Sequence, residues 1–480
     1  MCVKLYDHIK KLINGKDSIN MKVTFLGGGS LRLLPILRGI FLKTPEVLKN
    51  GEIRLVDLSL ERAEAVANMV KACPEYKDIQ CKVVVTSDVD AALEGTDVLY
   101  LTMAAIREPS NTQSLFIAEE YNYITSDQLS VNGAFLALRI GGFIFSLAKK
   151  LEKLSPKALM LIFANPVSVY SYMVNAHTKI RALGICGGFN NHRWDLTRLC
   201  GRHEFDPNWN VVAAGVNHCS FILRGDYKGE DLYSSLFPRV LNDSWKCIDC
   251  STASPTPELL ENAILDLYNM YRKFNTMIFS TETDGLEHVS KVHGRAFREA
   301  ELKRETPFDP EEKERRLRIA RDKSFAEFIE LSKHPEQVQW DSDDGKIKPT
   351  FTDISIPILK ALSGHEKMRI VASRPNYGAV AGMPEMAALE YTMDLLGDTI
   401  TPVENQYIPS PYRGLIASLS EFQTLTGDAI AKNDPAIFAQ ALEAYPVNQF
   451  SPQRKEFFTK MFDAYSDLDP MWRKSLDYLF

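Results

Sequence analysis

The sequence predicts an α/β protein, with an N-terminal doubly wound, mostly parallel sheet and a C-terminal mixed α+β half. Three observations predict it. A short β-prone run at 21–26 meets a glycine turn, Gly27-Gly28-Gly29-Ser30, and then a helically spaced stretch at 31–40. A second strand, 52–57, ends in an acid, Asp57. From there to about residue 194, apolar strands alternate with helical periods, the pattern of parallel strands joined by crossover helices.

Each element follows in order. The glycines at 27–29 let backbone approach a pyrophosphate, a helix start presents free N–H groups to its charge, and Asp57 is placed for ribose hydroxyls. This is the layout of a Rossmann-like, dinucleotide-binding βαβ unit, although Leu31 and Arg32 are followed by no third glycine. Strands are expected at 81–85, 98–103, 158–164 and 182–186, and helices at 89–93, 133–154 and 166–176. Ligands in such sheets bind beyond the carboxyl ends of the strands, where Asp57, Asn165 and Cys186 fall. After about residue 196 the pattern changes. Strands are expected at 211–216, 219–224 and 367–372, a loop at 341–349, and helices at 257–276, 295–331, 415–427, 434–444 and 454–462. The expected organisation is an extension at 1–20 (with a short helix at 5–13), a nucleotide-binding domain at 21–195 and a substrate and oligomerisation domain at 196–480.

Composition narrows the function. A chain of 480 residues with 45% hydrophobic and 25% charged residues has ample core for two domains. A net charge of −6 gives no basic footprint for nucleic acid. No apolar run is expected to span a membrane, and the first 20 residues show no secretory signal. The 8 cysteines lack a framework spacing, so free thiols in a reducing cytoplasm are expected. Cys247-Ile248-Asp249-Cys250 has no second pair to close a zinc site.

Several residues are candidates for chemistry. Asn165-Pro166 follows a buried strand, a turn signal that in such a sheet also faces cofactor and substrate. Cys186 ends a strand and is followed by Gly187-Gly188-Phe189-Asn190-Asn191-His192-Arg193; a lone cysteine is a buried hydrophobe elsewhere, and here a credible metal ligand. Asn217-His218 interrupts two apolar runs, so His218 is either a satisfied core histidine or a partner of Cys186, since thiolate and imidazole suit a transition metal. Asp127 reads as the start of a helix, stabilised there by the dipole. Asp284 and His288 sit in a polar island, Thr281 to His288, where Asp-Gly signals a turn and the acids offer a general base.

Taken together these residues resemble glycoside hydrolase family 4, the NAD- and divalent-metal-dependent glycosidases. The likeness runs through most of 21–445, including Gly215-Val216-Asn217-His218, the segment from Pro375 to Pro384, and Leu425-Thr426-Gly427-Asp428. It implies NAD bound by Gly27, Gly28, Gly29, Ser30, Asp57 and Asn165, and Mn2+ or another divalent ion on Cys186 and His218. Asn165, Asn217 and Arg139 would contact a small glycoside, with Asp127 as acid and Asp284 as base, Tyr268 and Tyr271 being alternatives for the base. The implied reaction is net hydrolysis: hydride leaves C3 for NAD+, the C2 proton is removed, the leaving group departs, water adds at C1 and the hydride returns. The family's glycines between the acid and the arginine are reduced here to Gly133, and the residues after Cys186 leave sugar, anomer and phosphorylation open. A homodimer or homotetramer is expected. The competing reading is an NAD-dependent 2-hydroxy-acid dehydrogenase with His192-Arg193 at its centre.

Overall fold

The structure, a computed structural model, describes residues 20–103, 109–202, 206–247, 257–279, 282–290 and 309–480. The expected helix at 5–13, Cys2, Cys250 and the first part of the 295–331 helical region lie outside them.

Six strands build the nucleotide-binding half: β1 (Lys22–Leu26), β2 (Glu52–Val56), β3 (Lys82–Thr86), β4 (Val98–Leu101), β5 (Leu159–Ile162) and β6 (Arg181–Gly184). They pair in parallel in the order β6-β5-β4-β1-β2-β3. The apolar runs of β1, β2, β4, β5 and β6 are buried because helices cover both sides, which is why they read as continuous rather than alternating, while β3 at the edge is only half-buried. The helices between them are Leu33–Lys43, Leu60–Ala72, Val131–Leu154 and Val167–His177, joined by shorter ones.

The second half continues the same sheet. Strands β7 (Trp209–Val216) and β8 (Cys219–Tyr227) form a hairpin, with β9 (Glu230–Asp231) and β10 (Met277–Ile278) beside β8. Strand β11 (Met368–Pro375) then joins β6 antiparallel through Ser373 and Gly184. A small pair, β12 (Val380–Ala381) and β15 (Gln406–Tyr407), lies apart. Strand β13 (Ala388–Leu396) sits between β11 and β7 and carries β14 (Thr399–Pro402). The result is one 13-stranded mixed sheet, parallel in its first part and antiparallel in its second. The helix Gly188–Leu199 runs through the boundary expected at residue 195.

Three expectations are corrected. Asp127 does not begin a helix; the helix starts at Val131, and its N-cap is Ser130, whose side chain accepts from the Asn132 N–H. Asp284 lies not in a loop but in the first turn of a helix, Thr283–Val289. The helix Val131–Leu154 is long and apolar enough to cross a membrane by length and composition, against the expectation that no such run exists. Its apolar face is buried in the core, through Phe135, Leu138, Ile144, Leu147 and Leu151 among others. The described cysteines are free thiols.

One buried charge ties the two halves together. Arg38, 3% exposed, donates from Nη1 to the carbonyls of Trp340 (3.1 Å) and Ile347 (2.6 Å) and from Nε and Nη2 to the Glu75 carboxylate. Truncating it would leave buried acceptors and a half-buried carboxylate unpaired. Arg38→Ala is expected to lower the free energy of unfolding by about 3 kcal/mol, read by urea denaturation, because breaking one side of a buried pair strands the other.

Candidate active site

The site lies at the carboxyl edge of the parallel strands, where three distant segments meet. At its first corner the chain leaves β1 through Gly27-Gly28-Gly29. Gly27 has φ +95°, and a Cβ on Gly28 would lie 2.7 Å from the Leu55 backbone, so the turn has no room for side chains. The Asp57 carboxylate accepts from the Gly29 N–H and the Ser59 N–H, both at 2.9 Å, which fixes the turn against the end of β2. The N–H groups of Gly27 and Gly28 go to the Val56 carbonyl and that of Ser30 to the Gly27 carbonyl, so what the turn offers a dinucleotide is close backbone approach with a carboxylate beside it.

At the second corner Cys186, just past β6, meets His218 at the β7–β8 turn. Cys186 Sγ and His218 Nε2 stand 3.6 Å apart, although 32 residues separate them in the chain. The Gly188 N–H donates to the same sulfur at 3.4 Å. On its other side the imidazole is held by Asp284, with Nδ1 2.9 Å from Oδ1. That contact holds the ring by Nδ1 and turns Nε2 toward Cys186, the arrangement by which a carboxylate orients a ligating histidine. The donor set fits a soft-to-borderline divalent ion. Among the described residues no group of three or more His, Cys, Asp or Glu is arranged to hold a metal ion.

The contact with His218 gives Asp284 the geometry of a carboxylate that orients the imidazole. Its Oδ1 also accepts from the Gly285 N–H, and Oδ2 accepts from Ser126 Oγ at 2.5 Å, so both oxygens are committed. Burial by itself would raise its pKa, but the His218 imidazole and the Ser126 hydroxyl hold it well below the usual carboxylate range. His218 is moved the opposite way: burial opposes its charge, and the carboxylates of Asp284 and Glu282 raise it well above the ordinary histidine value.

Asp127 forms the third corner. Its Oδ2 accepts from Asn165 Nδ2 at 2.9 Å, while Asn165 Oδ1 accepts from Gln128 Nε2 at 2.6 Å. Gln128 in turn takes the Val167 N–H at 3.0 Å, locking the loop at 126–130 onto the end of β5. Burial and the nearby Asp284 charge raise the Asp127 pKa, against the opposing effects of Asn165 and His218. Asp127 thus retains its proton to higher pH than an ordinary aspartate.

Other candidates fall elsewhere. Asn217 is 2% exposed and donates to Glu390 Oε2 at 2.8 Å, while Ser220 donates to Glu390 Oε1 at 3.2 Å. Its substrate-binding expectation gives way to one of holding the turn in which His218 takes φ +69°. Arg139 donates to Asp467 at 2.6 Å and lies over Tyr465, which ties its guanidinium to the C-terminal segment. Tyr268 donates to the Asn242 carbonyl and stacks on Trp245, and Tyr271 packs on Phe237. Neither tyrosine has the placement of a base. His192 is buried edge-to-face on Phe279, and burial pushes its pKa down to about 3; Arg193 donates to Asn190 and Pro207. Sequence reasoning gave no role to Ser126, Gln128 or Glu390; the run Ser126-Asp127-Gln128 was the signal available for the first two.

Known proteins match this chain over most of its length. The model of the family 4 glycosyl hydrolases matches residues 22–199, and that of the family 4 glycosyl hydrolase C-terminal domain matches 213–447. An alpha-galactosidase of Bacillus subtilis is 21% identical over 88% of this chain and 92% of its own. A 6-phospho-beta-glucosidase of Escherichia coli is 22% identical over 86% of this chain and 88% of its own. Among solved structures, a 6-phospho-beta-glucosidase from Thermotoga maritima, with manganese, NAD+ and glucose-6-phosphate, superposes with a TM-score of 0.72 at 17% identity, covering 93% of this chain and 99% of that one.

Gly285 tests the packing of the site. A Cβ there would lie 1.7 Å from the His218 carbonyl oxygen, which the Thr283–Val289 helix could avoid only by moving away from the β7–β8 turn. Gly285→Ala is expected to destabilise the protein by about 1–3 kcal/mol, measured by chemical denaturation, as overpacking against backbone does.

Proposed function

The chain belongs to the family 4 glycosyl hydrolases, and from that premise we propose that it cleaves O-glycosidic bonds with bound NAD+ and Mn2+ or another divalent ion. The observation that supports this most is the Cys186–His218 pair, 3.6 Å apart, with the imidazole oriented by Asp284. NAD would lie on Gly27, Gly28, Gly29, Ser30 and Asp57, and the ion on Cys186 and His218. When bound, NAD+ supplies a hydride acceptor for C3 of the sugar and the ion a Lewis acid for the neighbouring sugar oxygens.

The chain's own residues handle the protons. Asp127, whose pKa burial raises, gives its proton to the departing glycosidic oxygen. Asn165 fixes the direction of that carboxyl. Glu282, whose charge acts on His218, is the base we propose for the acidified C2 proton. Asp127, then ionised, activates the water that adds at C1. The dehydrogenase reading leaves the Cys186–His218 pair without a task, and its own candidate base, His192, is buried.

The substrate is a small glycoside, and its class is found with a panel of aryl glycosides with and without 6-phosphate and uronate groups, assayed with NAD+, Mn2+ and a reductant. Turnover is expected with catalytic NAD+ and no accumulation of NADH, and is expected to stop with chelator. In D2O the product is expected to carry deuterium at C2; unlabelled product would point to direct displacement at C1.

Two variants separate the carboxylates. Asp284→Asn is expected to weaken Mn2+ binding by about 10–100-fold, as loss of a histidine-orienting carboxylate does. Glu282→Gln is expected to leave Mn2+ affinity unchanged and to abolish C2 exchange. The reverse pattern would return the base to Asp284. Cys186→Ser is expected to fold normally and lose metal-dependent turnover.

A further inference from the structure

Counted from Gly27, a dinucleotide motif of strict spacing would have its third glycine at position 32, and the residue there is Arg32. The backbone tolerates it: Arg32 has φ −74° and ψ −17°, stands as the N-cap residue of the Leu33–Lys43 helix, and donates its N–H to Ser30 Oγ at 3.4 Å. The side chain is exposed, and its guanidinium carbon lies 4.4 Å from the centre of the Phe163 ring.

The sheet order gives that contact its meaning. Arg32 follows β1, Phe163 follows β5, and β4 runs between them. The arginine therefore reaches across the carboxyl end of β4, over the crevice where a doubly wound sheet takes its ligand. Among the described residues no carboxylate stands within ion-pair distance of it. The ring holds the guanidinium in place by a cation–π contact without neutralising it. The exposed guanidinium is thereby held as a cation at the carboxyl edge of the sheet, just after the glycine turn that ends at Ser30.

We propose that Arg32 binds a phosphate group laid across the ends of β1, β4 and β5, and that this group is the diphosphate of the dinucleotide rather than a phosphate on the sugar. The assignment rests on the cofactor reading above and adds to it a side chain that grips the diphosphate from the side opposite the helix. The planar fork of arginine suits two phosphate oxygens at once.

Calorimetric titration of the full chain tests it, with NAD+, ADP-ribose and glucose 6-phosphate as probes on wild type, Arg32→Met and Arg32→Lys. Arg32→Met keeps an apolar stem on Phe163 and, as an exposed position, is expected to leave the melting temperature unchanged. It is expected to weaken NAD+ and ADP-ribose alike by about 10–100-fold, the loss of one or two charge-assisted hydrogen bonds. Arg32→Lys is expected to recover part of that loss, and glucose 6-phosphate affinity is expected to be unaffected. A loss confined to glucose 6-phosphate overturns the diphosphate assignment, as does unchanged binding of all three probes. Wild-type protein that binds neither NAD+ nor ADP-ribose sinks the cofactor reading itself, and that failure shows in the wild type rather than in the variants.

Discussion

The hydrogen bond between His218 and Asp284 is the constraint on which the site depends. It joins the turn of the β7–β8 hairpin to a short helix 66 residues further on, and Ser126 ties the same carboxylate to the loop ahead of Val131. Three segments that the chain keeps apart are thereby fixed around one buried acid. Without that acid the imidazole would be free to rotate, and the Nε2 atom would no longer face Cys186. Glycine at 285 is what lets the helix approach, since its Cα lies against the His218 carbonyl with no space for a side chain.

The two aspartates of the pocket show how partners can move two buried acids of one type in opposite directions. Both are withdrawn from water, which by itself favours the neutral acid. Asp284 faces an imidazole and a hydroxyl and stays ionised, whereas Asp127 faces an amide and a like charge and is pushed toward its protonated form. Carboxyls driven apart in this way take different tasks, one orienting a neighbour and the other carrying a proton. The division follows from partners and not from residue type.

Much of this was readable from the chain, and the parts that were not share a cause. The strands β1 to β6 are apolar runs between helical periods, and their order and the glycine turn follow from local pattern. Strand β13 was not visible because Glu390, Thr392 and Asp394 break its apolar character, and their partners lie far off in sequence: Glu390 receives Asn217 from 173 residues away. Asp284-Gly285 read as a turn because that dipeptide commonly is one. Here the glycine is required by close packing inside a helix, a demand set by residue 218 that no local window contains. Cys186 and His218 were legible as residue types of suitable chemistry; their distance was not.

The continuous sheet explains why the site falls where it does. A doubly wound sheet leaves its ligand crevice open at the carboxyl edge. In this chain β11 pairs with β6 and β13 with β7, so the antiparallel strands extend the sheet beyond the last parallel strand and carry the β7–β8 turn to the same edge as Cys186. A thiol supplied by the parallel part thus meets an imidazole supplied by the antiparallel part. Because both ride on one hydrogen-bonded sheet, their separation is set by strand register rather than by the docking of two mobile lobes. A slip of one residue in the β7–β13 pairing would turn every side chain of β7 to the opposite face, with the hairpin that carries His218 behind it. Glu390 guards against that slip, because its two oxygens take Asn217 and Ser220 from the two sides of the hairpin turn and can satisfy both in one register alone.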